Sequence, residues 1–323
     1  ADTPRYGGIL TISSVGDPPS LDSHQEPSQK TWMVVAPAYN LLVEYQPSQG
    51  KGLSPGLAES WEMGKDGFTY SFAIRKGVKF HDGTPLTPQD VVFSLTRLWK
   101  PPKGIRTALA GYMDAIKSIE ATENQVKITL DYPYSPLMSV LSYDPSVIYP
   151  KHIVEAKGDM KTTVVGTGPF RFKSYSPGVS VELVKSPDYW VTGRPYLDRV
   201  IFVILKDGRT RLSALRTGRI KITGRGFACL TPSEMETIKR ENPSMVFYPS
   251  TSPLNASFFM NIRGKPFNDK RVRKAISLAI DRQAVLKVVA EGQGMLGRVF
   301  AIQGWGIPDD ERDRLPGYRQ PKD

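Results

Sequence analysis

Val200-Ile-Phe-Val-Ile-Leu205 is an unbroken apolar run of strand length, and the residues around it decide the fold class. A run with no polar alternation predicts a strand buried on both faces. Arg209–Thr217 follows with helical periodicity and is stopped by Gly218, which suits the residue just past a helix end. Arg219–Thr223 then reads as the next strand. Strand, helix and strand in succession predict an α/β protein.

Working towards the N-terminus, Phe170–Ser174 and Val179–Val184 read as a hairpin. Gly166-Thr-Gly168 before it is a tight connection that lacks the Gly-Lys-Ser/Thr ending of a phosphate-binding loop. Phe68–Ile74 and Val126–Leu130 alternate as strands, Val78–Phe80 is a shorter one, and Gly8–Ser13 opens the chain as another. Thr87-Pro88-Gln89-Asp90 is a helix start, with a capping hydroxyl, proline in the first turn and an acid near the positive helix end. Further helices are expected from Thr31 through Tyr45, over Leu109–Ile116 and over Ser135–Leu141. Towards the C-terminus, Thr231-Pro-Ser-Glu234 is a capping box. Met245–Tyr248 and Ala256–Asn261 read as strands. Val272, Ala275, Ile276, Ala279 and Ile280 make a helical stripe, with Asp281 capping the next helix.

The chain has 323 residues, of which 40% are hydrophobic and 10% aromatic, enough for a packed core. One cysteine, Cys229, excludes an internal disulfide and Cys-based zinc sites. His24, His81 and His152 are scattered, so neither a metal site nor a cofactor is expected. No run of 18 apolar residues predicts a membrane-spanning helix. Ala1, a small first residue, suits an exported chain whose signal peptide has been removed.

Charge is uneven. Residues 1–150 carry 13 Lys/Arg against 15 Asp/Glu, and residues 151–323 carry 30 against 17, so the whole net charge of +11 lies in the second half. Residues 194–240 hold 11 basic and 4 acidic side chains, which makes a nucleic-acid-binding protein the alternative reading. No nucleic-acid motif accompanies this segment, and its basic residues alternate with core strands. Gly292-Gln-Gly294-Met-Leu-Gly297 matches GxGxxG, but a helix rather than a strand precedes it. His81-Asp82 and Cys229 lack the base and orienting group of a nucleophilic site, so no enzyme is expected. Asn255-Ala-Ser257 is a glycosylation sequon by pattern only.

Three segments carry a resemblance. The first is Leu57-Ala-Glu-Ser-Trp-Glu62, continuing to Phe68-Thr-Tyr-Ser-Phe-Ala-Ile-Arg-Lys-Gly-Val-Lys-Phe-His-Asp-Gly-Thr-Pro85 and Asp90-Val-Val-Phe-Ser94. The second is Gly166-Thr-Gly-Pro-Phe170 with Tyr189-Trp190. The third is Phe259-Met-Asn-Ile262 with Pro266-Phe-Asn-Asp-Lys-Arg-Val-Arg-Lys-Ala-Ile276 and Ala279-Ile-Asp-Arg282. In order and spacing they resemble the family 5 extracellular solute-binding proteins, the dipeptide, oligopeptide and nickel receptors of ABC importers.

The resemblance implies a bilobal periplasmic binding protein, type II and cluster C-like, with an inserted subdomain. Lobe 1 would comprise residues 1–35 and 165–250, the insertion 36–164, and an incomplete second lobe would begin at 251. Family members continue beyond the position of Asp323. The carboxylate that peptide binders use for the ligand's amino terminus lies in that part, so no residue here takes the role. Lys221 stands where the family usually has Asp. The implied partners are a peptide or other small solute and an ABC transporter permease, with a monomer as the family default and no nucleic acid. Ligand-binding candidates by family position are Trp32, Met33, Tyr112, Tyr143, Asp144, Asn255 and Trp305.

Overall fold

The protein was analysed as a computed structural model, which describes residues 3–46, 52–223, 230–247, 258–293, 296 and 307–319. The chain divides into two compact units, Ala1–Gly224 and Arg225–Asp323.

The first unit opens with β1 (Ile9–Ser14) and α1 (Gln29–Val35), the latter capped by the Ser28 side chain. The expected helix from Thr31 to Tyr45 is cut short here. Pro37 cannot donate a backbone hydrogen bond, so Ala36–Ala38 tightens into a single 3₁₀ turn. Val43–Gln46 forms β2, antiparallel to β3 (Gly52–Pro55). The hairpin β4 (Ala58–Met63) and β5 (Thr69–Ile74) then precedes α2 (Pro88–Trp99), β6 (Ile116–Ala121) and β7 (Gln125–Leu130). Val78–Phe80 contributes only the isolated bridge Lys79–Pro85. The helix expected over Leu109–Ile116 is also absent. A 3₁₀ turn occupies Ala110–Tyr112, and the β-branched Ile116 and Ile119 pair with Leu130 and Ile128 of β7 instead. Strand pairing there outweighs the local apolar spacing.

These strands form one sheet, ordered β4-β5-β7-β6. Tyr70, Phe72 and Ile74 of β5 and Val126, Ile128 and Leu130 of β7 turn inward against Val91, Leu95 and Leu98 of α2. Fully burying a side chain such as Phe72 contributes about 1.5–3 kcal/mol. The first turn of α2 is tied by Asp90, whose Oδ2 accepts from the Thr87 backbone N–H (2.9 Å) and hydroxyl (2.7 Å).

After α3 (Leu137–Leu141) and α4 (Lys151–Lys157) the chain builds a second sheet from β8 (Phe170–Ser176), β9 (Ser180–Lys185) and β10 (Arg199–Ile204). Its order is β1-β10-β9-β8, with β10 parallel to β1 and antiparallel to β9. Burial of β10 on both faces is corrected: Val200, Phe202 and Ile204 are buried, whereas Ile201 and Val203 are half-buried. This sheet is mixed rather than parallel, and one of its faces is only partly covered. α5 (Gly208–Arg216) follows and ends at Gly218, whose φ of 71° admits the left-handed turn. The strand expected over Arg219–Thr223 shrinks to the parallel bridge Ile12–Ile222.

The second unit has α6 (Pro232–Glu241), α7 (Lys270–Ala279), α8 (Arg282–Val289) and α9 (Asp309–Asp313). The Thr231–Glu234 capping box forms, and Asp281 caps α8 through the Ala284 N–H at 2.9 Å. Residues 245–247 and 258–261 are not strands, and the remainder of those two predicted strands lies outside the described residues. Among the described residues, no helix is long and apolar enough to cross a membrane.

Candidate functional site

The site is built on the short helix α1 and on the loops at one end of the sheet β4-β5-β7-β6. Thr31, Val34 and Val35 give α1 its buried face, which leaves Trp32 and Met33 half-buried beside it. Met33 packs against the core cluster beneath the other sheet, with Val34, Tyr39 and Tyr149. Trp32 meets Tyr143 edge to face, ring centres 5.4 Å apart at 72°. The Trp32 indole N–H is buried and has no hydrogen-bond partner among the described residues.

Tyr143 is 45% and Tyr112 60% exposed, so both offer aromatic surface to solvent. Burial, the adjacent Asp144 carboxylate and Tyr112 together push the Tyr143 hydroxyl above its ordinary value. Asp144 opens the turn Asp144–Ser146 and also bears on Glu44, whose carboxyl is raised first by its own burial and further by Asp144. The structure thus brings Trp32, Tyr143, Asp144 and Tyr112 into one neighbourhood.

Two side chains there, Glu44 and Tyr134, are not among the candidates drawn from the sequence. Tyr134 is raised by burial and by the nearby Tyr132 and Tyr112, and it packs edge to face with Tyr132 at 6.5 Å. The signal was present in Asp131-Tyr-Pro-Tyr-Ser-Pro136, where aromatics alternate with prolines in a loop after a strand. Asn255 and Trp305 lie outside the described residues, as does Cys229. In the GxGxxG match, Gly292 sits in the turn after α8, and Gly294 and Gly297 are outside the described residues.

A buried polar knot fixes this neighbourhood. Asp22, in the loop before α1, accepts Nη1 (3.1 Å) and Nη2 (2.6 Å) of Arg97 from α2. Both side chains are nearly inaccessible, at 0% and 6%. The Tyr149 hydroxyl (3.3 Å) and the His24 and Met160 backbone N–H groups (3.1 Å each) complete the shell of Asp22. Burial alone would raise the Asp22 carboxyl, and the two Arg97 hydrogen bonds and charge overcome it, holding it below its ordinary value. Burial lowers His24 to about 3, helped by the Arg97 charge, so its ring is neutral and its Nε2 faces the Val147 carbonyl at 2.8 Å.

The motif residues serve architecture. Nε2 of His81 meets the Gly168 carbonyl at 2.9 Å, and Nδ1 accepts from the Gly166 N–H at 3.4 Å, which sets the tautomer. A Cβ on Gly166 would lie 2.1 Å from the Ala38 carbonyl oxygen, so only glycine fits against the 3₁₀ turn. Asn40 accepts from the Thr167 hydroxyl (3.2 Å) and the Trp190 indole (3.1 Å), while Arg75 stacks over Trp190 at 4.7 Å. Among the described residues, no group of three His, Cys, Asp or Glu side chains is placed to hold a metal ion.

The mixed α/β fold is that of the type II periplasmic binding proteins. Residues 52–321 match the model of the bacterial extracellular solute-binding proteins, family 5 (middle region), and the chain belongs to that family. It is 31% identical to di/tripeptide-binding protein 2 of Pseudomonas aeruginosa, over 94% of this chain and 62% of that protein. It is also 31% identical to heme-binding protein A of Haemophilus influenzae, over 79% of this chain and 50% of that one. Among solved structures it superposes on the periplasmic binding protein DppA of Helicobacter pylori, in complex with the peptide STSA. The TM-score is 0.81 and the identity 30%, over 93% of this chain and 62% of that one. The chain therefore spans about three fifths of the length of such relatives. A solute-binding family leaves the nucleic-acid alternative for residues 194–240 without support.

Proposed function

We propose that this chain is the solute-capturing part of a periplasmic receptor that closes two lobes on a peptide-like or other small solute and delivers it to an ABC transporter permease. The mechanism is hinged closure with higher ligand affinity in the closed state, and no bond is made or broken. The observation that carries this reading is the wall of Trp32, Tyr143 and Tyr112, continued by Tyr134. It offers exposed aromatic surface together with a buried indole N–H that lacks a partner among the described residues. Such a surface stacks on an apolar or planar part of a ligand, and the indole donates to one polar group of it. Asp144 supplies a negative charge beside the wall for a cationic group, such as a peptide amino terminus. Met33 backs the wall, and Asn255 and Trp305 are proposed contacts from the second lobe.

The lobe boundaries proposed are 1–35 with 165–250 for the first lobe, 36–164 for the insertion and 251 onward for the second. The sheet β4-β5-β7-β6 and a core cluster whose buried residues all lie within 42–148 support the insertion. The receptor acts as a monomer in the periplasm.

The test is a titration with di- and tripeptides followed by intrinsic fluorescence and thermal shift. Trp32→Leu and Tyr143→Ala are expected to weaken binding by about tenfold or more, because each removes a stacking surface worth about 1 kcal/mol beyond its buried area. Peptide binding that both variants leave intact would contradict the proposed wall.

A further inference from the structure

The basic segment has a recessed centre that solute capture does not use. Asp207 caps α5, its Oδ1 accepting from the Thr210 N–H (2.8 Å) and hydroxyl (3.0 Å). Arg209, Ser213 and Thr217 then follow at intervals of four residues along the exposed side of the helix end, and Arg219 lies just past it. Together with Thr210 and Ala214 they line a solvent-open concavity of about 380 Å³. Its lining residues include two arginines and three hydroxyl-bearing residues, and no acidic residue.

Two other cations of the basic segment are paired, Arg199 with Glu182 at 3.2 Å and Lys206 with Asp17 at 3.4 Å. Among the described residues, Arg209 and Arg219 have no carboxylate within ion-pair distance. Asp207 is close enough to Arg209 to feel its charge, but its carboxyl is held low first by the Thr210 hydrogen bonds. The hydroxyls are not equivalent. Thr210 donates to Asp207 and Thr217 to the Ser213 carbonyl (3.0 Å), whereas the Ser213 hydroxyl has no partner among the described residues.

Two like charges sharing one recess repel unless a counter-charge sits between them. A guanidinium fork matches the oxygens of a tetrahedral oxyanion, and a free hydroxyl adds a third donor. A shallow, solvent-open concavity suits a compact anion better than a duplex, which needs a row of protruding cations. We propose that Arg209, Arg219 and Ser213 form a binding site for a phosphate- or sulfate-type oxyanion, free or carried as the head of a larger molecule. This site stands apart from the Trp32 wall and does not depend on the receptor reading.

The test titrates inorganic phosphate, and separately sulfate, into the protein at low ionic strength while amide NMR shifts are followed. Two charge-assisted donors predict saturable shifts over Arg209–Arg219 with a roughly millimolar Kd. Arg209→Gln and Arg219→Gln should each weaken binding about tenfold, while Lys103→Gln, an exposed distant charge, should leave it unchanged. All three positions are exposed, so unliganded thermal stability should stay constant across the variants. Phosphatidic acid vesicles and a DNA duplex are separate arms. Vesicle binding that free phosphate displaces would support a headgroup phosphate in the recess. Absence of saturable shifts up to about 50 mM phosphate would overturn the site. Equal weakening by Lys103→Gln, or vesicle or DNA binding untouched by both arginine variants, would overturn it too.

Discussion

Replacing Arg97 by methionine removes the guanidinium from the buried shell of Asp22 while keeping most of the volume. The wild-type pair is bidentate at 3.1 and 2.6 Å, with Asp22 wholly inaccessible. Asp22 would keep the His24 and Met160 N–H groups and the Tyr149 hydroxyl. These neutral donors do not offset a buried full charge. Breaking one side of such a pair costs about 3–5 kcal/mol. For a unit of this size, each kcal/mol moves Tm by about 2–4 °C, so a fall of roughly 6–20 °C is expected at pH 7.

The pH dependence is diagnostic. In the wild type the Asp22 pKa lies below its ordinary 3.8, so its stabilisation is present above that value and is lost as pH falls through the lower, folded-state pKa. In the variant, burial without Arg97 raises the pKa, and the group then favours folding only when protonated. The gap between wild type and variant must therefore be widest near neutrality and narrow in acid. Urea denaturation at pH 7 and pH 4, with Asp22→Asn/Arg97→Met recovering part of the loss, reads this directly. A loss under about 1 kcal/mol at pH 7, or a gap that does not shrink in acid, would refute the reasoning.

Gly168→Ala should cost about 1–3 kcal/mol or more in chemical denaturation, because the new Cβ would lie 2.4 Å from the Ala38 carbonyl carbon and 2.5 Å from the Tyr39 nitrogen. An unchanged midpoint would mean the 3₁₀ turn gives way freely. His24, lowered to about 3 against 6.5 when unfolded, should show no imidazole NMR titration between pH 7 and pH 4. Since the unfolded chain binds that proton first, His24 alone should lower stability by about 1.4 kcal/mol per pH unit as pH falls below 6.5, a slope absent if the ring titrates normally. Glu234→Ala should cost about 1 kcal/mol of second-unit stability by removing the carboxylate that accepts the Thr231 N–H at 2.8 Å.

The sequence was most readable where one local signal acted alone. Tyr70, Phe72 and Ile74 alternate, and the strand is there. Thr87, Thr231 and Asp281 stand at helix starts because a side-chain oxygen or carboxylate is needed there in any context. Reading failed where a partner distant in sequence decided the outcome. Ile116 and Ile119 carry helix-compatible spacing, but β7 claims them. Leu53 and Ser54 lie among glycines and prolines, residues that favour turns, yet they pair with Tyr45 and Glu44. Family position brought Trp32, Tyr143, Asp144 and Tyr112 to one neighbourhood. Tyr134 and Glu44 join them only through the folded arrangement of loops. The basic run at 194–240 looked uniform in sequence. In the fold Arg199 and Lys206 are neutralised, and Arg209 and Arg219 are left facing one recess.

The central claim is capture of a solute against the Trp32 wall. Isothermal titration of the protein with a panel of di- and tripeptides, run in parallel on Trp32→Leu, tests it most directly. The account predicts saturable one-to-one binding by at least one member of the panel, weakened about tenfold or more in the variant. Binding that is indifferent to Trp32, or no binding across peptides and other small solutes, would contradict it.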